Sequence, residues 1–90
     1  MDKDLIHDYI FAKRGKKNMK FVLHKVLREE KELNDKFLEL LKNNSSLDVI
    51  AKELNVNGIV VEMLAKANKK EIIYATHGTY IKIWMEWFKC

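Results

Sequence analysis

The residues best suited to acid–base chemistry or metal binding are scattered along this 90-residue chain. Histidines occur at His7, His24 and His77, in three separate segments, so they do not form the closely spaced ligand pair of a typical zinc motif. Three glutamates fall within residues 29–32, where they form a charged helix face rather than a poised acid–base pair. We therefore expect no enzymatic activity, no metal site and no cofactor.

The positions of cysteine and glycine exclude further kinds of chemical site. Cys90 is the only cysteine, which excludes a disulfide within the chain and a zinc site built from paired cysteines. Gly15, Gly58 and Gly78 are isolated, so they do not form a glycine-rich phosphate loop. No apolar run approaches the length of a membrane span, and the first ten residues lack the pattern of a signal peptide. We expect a cytoplasmic protein with no membrane partner.

A cluster of basic residues offers the clearest binding chemistry. The chain has 17 basic and 13 acidic residues, and five of the basic ones fall within residues 13–20, with no acidic residue among them. These five are Lys13, Arg14, Lys16, Lys17 and Lys20. Such a cluster suits contact with the phosphates of a nucleic acid. The alternative interpretation is a solvated loop followed by the start of a helix.

Residues 1–43 must position this cluster, and their apolar spacing predicts helices. The first should run from Asp2 to Lys13 and end at Gly15, which can adopt positive φ. A long helix should follow from Lys17 to Lys42, with a kink or break near residues 28–32. The apolar positions are Leu5, Ile6, Tyr9 and Ile10 in the first helix, and Phe21, Val22, Val26, Leu33, Phe37, Leu40 and Leu41 in the second.

Residues 46–69 predict two helices joined by a short turn. Either Ser45 or Ser46 is a good N-cap for the first, which should end near Leu54. Asn57 is a good N-cap for the second, which should end near Asn68 or Lys69. Their shared apolar face comprises Ile50, Ala51, Leu54, Val56, Val61 and Leu64. The alternative is a β-hairpin that turns at Asn57 and Gly58, because Asn-Gly before a β-branched run favours that turn.

The spacing of apolar residues changes from a helical period to a strand-like alternation in residues 71–84. In this segment β-branched and aromatic residues flank His77 and Gly78. This pattern predicts a two-stranded hairpin that turns at those two residues. One face of its second half, formed by Ile81, Ile83 and Met85, should point inward. Aromatic and apolar side chains are concentrated in residues 84–88, where they should close the core or form a dimer surface.

Two helices, a short turn and a following hairpin resemble the winged helix-turn-helix superfamily over about residues 44–84. The resemblance implies a single mainly α domain over residues 1–90 with a C-terminal β-hairpin. It also implies that the second helix enters the major groove of DNA while the hairpin lies against the backbone or the minor groove. The contact positions that it implies are Asn57, Gly58, Ile59, Glu62, Met63 and Lys66 on the helix, and His77 on the hairpin.

Two functions are compatible with the sequence. The first is a non-enzymatic transcriptional regulator that binds double-stranded DNA as a homodimer, with the basic cluster holding the backbone. The second is a protein–protein interaction module or inhibitor that docks on a polymerase or host protein through exposed apolar and aromatic residues, such as Ile59 and Trp87. The second helix carries no arginine, and two of its implied contact positions, Ile59 and Met63, are apolar, which favours the second function. The alternative is that Ile59 and Met63 are buried against the long helix.

Overall fold

The computed structural model describes residues 3–82, which form five α-helices followed by a two-stranded antiparallel hairpin. The elements are α1 (Lys3–Lys13), α2 (Met19–Glu29), α3 (Lys31–Leu41), α4 (Leu47–Leu54), α5 (Gly58–Ala67), β1 (Glu71–Ala75) and β2 (Gly78–Lys82). This order confirms the expected mainly α fold with a C-terminal β-hairpin. Within the same residues, none of the helices combines the length and the hydrophobicity that crossing a bilayer requires.

The basic cluster lies where α1 ends and α2 begins. Gly15 follows α1 with φ of 78°, a left-handed conformation that confirms its predicted role in ending the helix. Asn18 caps α2, because its side-chain oxygen accepts a hydrogen bond of 3.2 Å from the backbone N–H of Phe21. This cap starts the helix two residues later than the sequence predicts, so Lys16 and Lys17 belong to the connecting loop.

The long helix expected between residues 17 and 42 is broken at Glu30, within the charged stretch where a kink or break is predicted. The backbone of Glu30 leaves the helical region, with φ of −113° and ψ of 44°. A continuous helix of that length would extend about 39 Å and would carry its second half away from the rest of the core. The break instead lets α2 pack on α5 while α3 packs on α4.

The prediction that Phe21 belongs to the buried stripe is wrong, because this residue is 70% exposed. Helix α2 turns Val22 and Val26 into the core, and Phe21 precedes Val22 by one position, about 100° away around the helix axis. The side chain of Phe21 therefore emerges beside Lys17 and Lys25.

Helices α4 and α5 are joined by a turn of three residues, so the helical interpretation of residues 57–67 is correct and the alternative hairpin at Asn57–Gly58 is not formed. Ser46 caps α4 and Asn57 caps α5, as predicted. Asn55 ends α4 in the left-handed conformation with φ of 58°, which asparagine tolerates better than most residues. Val56 packs against the core from within the turn.

The hairpin pairs Glu71 with Lys82 at its open end and Ala75 with Gly78 beside the turn. The two turn residues are Thr76 and His77, one position earlier than predicted, because Gly78 pairs with Ala75 and begins β2. It is joined to the start of α4, because the N–H of Ile81 donates a 2.7 Å hydrogen bond to the carbonyl of Ser45. Ile81 is buried, as its alternating position predicts. The predictions for Ile83, Met85 and the aromatic segment 84–88 lie outside the described residues.

Helix α5 is the centre of the described fold, since it contacts each of the other four helices and β1. Five of its ten residues are buried, and none reaches full exposure. An apolar helix that is covered on most sides contributes to the core along its whole length. This central position determines which of the predicted contact residues are accessible.

Candidate nucleic-acid interface

The basic cluster is exposed along its whole length. Two of its members are paired within the molecule: Lys13 Nζ lies 2.8 Å from a carboxylate oxygen of Glu62, and Lys17 Nζ lies 3.0 Å from one of Asp8. Arg14, Lys16 and Lys20 form no ion pair with any residue in the described range 3–82. These three cations are therefore free to bind phosphates, while Lys13 and Lys17 are partly neutralised.

The predicted contact face of α5 is mostly covered. Of the two alternatives for Met63, exposure at a binding surface and burial within the protein, burial is correct, because Met63 is fully buried and its implied contact with DNA is blocked. Ile59 is half-buried and packs against the core. These residues are covered because α1 and α2 pack against α5. A unit made only of α4, α5 and the hairpin would leave that side of α5 exposed. Sequence spacing on α5 does not reveal this cover, because the covering residues lie about 50 positions earlier in the chain.

Glu62 is the centre of a small polar cluster between α1 and α5. Its carboxylate accepts hydrogen bonds from the phenol of Tyr9 and from Lys13 Nζ, and Lys66 Nζ lies 3.9 Å from the same oxygen. The two ammonium groups also lie over the Tyr9 ring, at 5.5 Å for Lys13 and 5.7 Å for Lys66 from the ring centroid. Only 14% of the Glu62 side chain is exposed, so its carboxylate serves this cluster instead of facing a nucleic-acid base.

The electrostatics of this cluster stabilise one protonation state at each group. Burial raises the pKa of the Tyr9 phenol, and its hydrogen bond to the negatively charged Glu62 raises that pKa further. Burial alone would raise the pKa of Glu62, but hydrogen bonds from Lys13 and Tyr9 and the charges of Lys13 and Lys66 hold that pKa below its ordinary value. A neutral phenol thus donates to an ionised carboxylate at neutral pH.

The remaining predicted contact residues lie at the edges of the α4–α5 unit. Asn57 is exposed, yet its side-chain oxygen accepts a 3.0 Å hydrogen bond from the N–H of Ile59 and so caps α5. Gly58 lies so close to Leu47 that an added Cβ would be 3.3 Å from Leu47 Cδ2. His77 is exposed in the hairpin turn. Their predicted contacts with DNA stay predictions.

An exposed aromatic residue, Phe21, borders the basic cluster, and it was not among the predicted contacts. Phe21 follows Lys20 and, with Asp8, Lys17 and Lys25, lines a groove of about 350 Å³. The short distance in sequence between Phe21 and the basic residues was the available signal, but the helical stripe assigned Phe21 to the core.

The described residues form no arrangement that suits a metal ion. Among positions 3–82, no three His, Cys, Asp or Glu side chains come close enough together to hold a metal ion.

No protein-family model matches the chain, and no curated protein or solved structure matches it either.

Proposed function

We propose that this chain is a non-enzymatic DNA-binding protein that regulates transcription, and that it holds DNA through the basic cluster of residues 13–20. The observation that carries the proposal is the position of Arg14, Lys16 and Lys20, three exposed cations without an ionic partner in residues 3–82. Cations of this kind bind phosphates by releasing the counterions that surround DNA. The net charge of +4 favours the same partner.

The order of α4, turn, α5 and hairpin supports a winged helix-turn-helix arrangement within this proposal. The turn has the compact geometry that such a unit needs, because Asn55 reverses the chain and Val56 fills the space between the helices. The hairpin is attached to the same unit by the hydrogen bond from Ile81 to Ser45 and by a bridge between Ser46 and Tyr80. A hairpin held in this way has the fixed position that a wing requires.

The proposal assigns α5 a structural role rather than the reading of bases. A recognition helix needs several exposed side chains that reach base edges. Met63 is buried, Glu62 is bound by Tyr9 and Lys13, and no residue of α5 is fully exposed. Insertion of α5 into the major groove would require α1 to leave its position. We therefore expect DNA binding that depends on the backbone and has little sequence preference.

The test is a titration of a fluorescent duplex of random sequence over a series of salt concentrations. We expect the logarithm of the association constant to fall linearly with the logarithm of salt, by about 0.9 for each phosphate contact. The double variant Arg14→Glu/Lys16→Glu should bind more weakly and with a smaller slope. The matched control, Lys36→Glu/Lys52→Glu, changes the net charge equally at exposed positions on α3 and α4.

Two results would contradict the proposal. One is binding that does not respond to salt, and the other is an equal loss of affinity in both double variants, which would indicate a non-specific effect of net charge. Sedimentation of the protein with and without duplex tests the predicted homodimer in the same samples, since a dimer would bind with twice the protein mass per site.

A second candidate function, a protein-interaction module, is favoured by a groove between α2 and the end of α5. The groove has a volume of about 550 Å³, and its floor is formed by Met19, Leu23 and Leu27 at successive turns of α2. Lys20, Lys66 and Lys69 line its rim, so an acidic amphipathic helix fits its chemistry. Binding of such a peptide, with Leu23→Gln abolishing it and random duplex remaining unbound, would favour this function over the first.

A further inference from the structure

The two most exposed large apolar side chains in residues 3–82 are both aromatic. Phe21 and Tyr74 are each 70% exposed, whereas Phe11, Val49 and Ile73 are 42% exposed. A phenylalanine that lies mainly in water loses the stabilisation that burial would provide. Phe21 and Tyr74 therefore contribute little to the core, and their positions suggest a role at the surface.

Phe21 borders the basic cluster described above. It lies directly after Lys20, and the groove beside its ring is also lined by Lys17, by Lys25 and by Asp8, which is the ion-pair partner of Lys17. Lys20 and Lys25 have no ionic partner in residues 3–82. The surface thus combines free cations with an aromatic ring that is open to solvent.

This combination is the chemistry that recognises an unpaired nucleic-acid strand. The bases of a duplex are stacked on each other, so their faces are not accessible to a protein side chain. Unpaired bases expose these faces, and proteins that bind single strands stack them on aromatic rings while lysines and arginines hold the backbone. Such binding does not need a recognition helix, which agrees with the covered position of α5.

We propose that the basic cluster binds single-stranded nucleic acid in preference to duplex, with a base stacked on Phe21 and phosphates held by Arg14, Lys16 and Lys20. This inference rests on the proposed function, because it uses the same cations, and it names the form of nucleic acid that they hold. Stacking on the Phe21 ring at the border of the cluster sets the preference for an unpaired strand, and the cations set the dependence on salt.

The experiment compares a fluorescent oligothymidine of about 12 nucleotides with a mixed-sequence duplex of the same length. Both are titrated with the full chain at one low salt concentration. We expect the single strand to bind more tightly. Phe21→Ala should weaken single-strand binding by about tenfold, as expected for the loss of one stacked base, and should change duplex binding less than twofold.

Two further variants separate stacking from the mere loss of apolar surface. Phe21→Tyr keeps an aromatic ring and should keep the affinity for the single strand. Phe21→Leu keeps an apolar side chain without a ring and should weaken single-strand binding as much as Phe21→Ala does. Retention of folding in each variant is checked by its circular dichroism and its urea midpoint.

The possible results distinguish this inference from the proposed function. Equal affinity for single strand and duplex, or an equal effect of Phe21→Ala on both, would overturn the preference for an unpaired strand and leave backbone binding supported. Failure of either nucleic acid to bind would overturn both proposals. Loss of affinity in Phe21→Tyr, or full affinity in Phe21→Leu, would overturn the stacking role.

Discussion

The phenol of Tyr9 donates a hydrogen bond to the carboxylate of Glu62, and this contact joins α1 to α5 across 53 positions of sequence. Lys13 donates to the same carboxylate oxygen at 2.8 Å. Hydrogen bonds to an ionised group are stronger than those between neutral groups, and here one carboxylate accepts two of them. The contact fixes α1 over the central helix and leaves the end of α1 to present the basic cluster.

The coupling between these two residues is measurable. Tyr9→Phe should lower the free energy of unfolding by about 1–2 kcal/mol, because a charge-assisted hydrogen bond is lost while the ring remains. Glu62→Gln should also destabilise the protein, and the double variant should lose less than the sum of the two. Urea denaturation measures all three. Glu39→Gln, which removes an exposed ion pair with Lys42, is the control and should have almost no effect. Additive losses at Tyr9 and Glu62 would contradict the coupling.

Acid stability should depend on Glu62. Its pKa is lower in the folded protein than in the unfolded chain, where a glutamate titrates near about 4.3. The folded state is therefore favoured by this group above about pH 4.3, and the contribution is lost as the pH falls through the lower folded pKa. We expect Glu62→Gln to be less sensitive to acid than the parent protein over that window. Urea midpoints at a series of acidic pH values test this, and parallel curves would be the contrary result.

Alkaline stability should depend on Tyr9. Its pKa is raised by folding, so its contribution is fully present below the ordinary tyrosine pKa of about 10 and is lost as the pH rises above that value. Tyr9→Phe should remove this loss, although the variant is less stable at neutral pH. The phenolate absorbance gives a direct measurement, since Tyr9 should ionise only when the protein unfolds. Ionisation of every tyrosine before unfolding would contradict the buried hydrogen bond.

The start of α5 should depend on the side chain of Asn57 as a cap. Asn57→Ala should cost about 1 kcal/mol, because the N–H of Ile59 loses its acceptor. Asn57→Asp should retain the cap and add a negative charge that the helix dipole favours. Thermal or urea unfolding compares the variants. If both substitutions destabilise the protein equally, the cap is not the reason for asparagine at this position.

Met63 and Phe21 should show opposite sensitivities to truncation. Met63→Ala removes a fully buried side chain and should destabilise the protein by about 2–5 kcal/mol. Phe21→Ala removes a larger side chain that is mostly in water, so its effect on stability should be far smaller. The comparison uses urea denaturation of both variants under the same conditions. A larger loss at Phe21 would reverse the assignment of these two residues to the core and the surface.

Local signals in the sequence were sufficient to predict most of the fold. Ser46 and Asn57 mark the starts of α4 and α5 because each cap uses only groups within a few residues. Gly15 marks the end of α1 and Gly78 marks the end of the hairpin turn, because glycine readily adopts the positive φ that both have. The helical spacing of apolar residues on both sides of Asn57–Gly58 favoured two helices over the hairpin that this pair often forms. The structure has the two helices.

The candidate interface was harder to predict, because it depends on which elements cover one another. The periodicity of α5 shows that it is amphipathic but does not show that α1 covers the side that carries Glu62. The exposure of Phe21 likewise depends on which face of α2 meets the core, and that face carries Val22 and Val26. The predicted stripe contained both Phe21 and Val22, although neighbouring side chains point about 100° apart around a helix axis.

The central position of α5 limits where this protein can accept substitutions during evolution. A helix that packs on four others and on a strand has almost no side chain that can be exchanged without disturbing several neighbours. New binding preferences should therefore arise through substitutions in the loop between α1 and α2 and on the outer face of β1, where replacements leave the packing intact. A saturation library scored for folding and for binding should show intolerance along α5 and broad tolerance at Arg14, Lys16 and Tyr74.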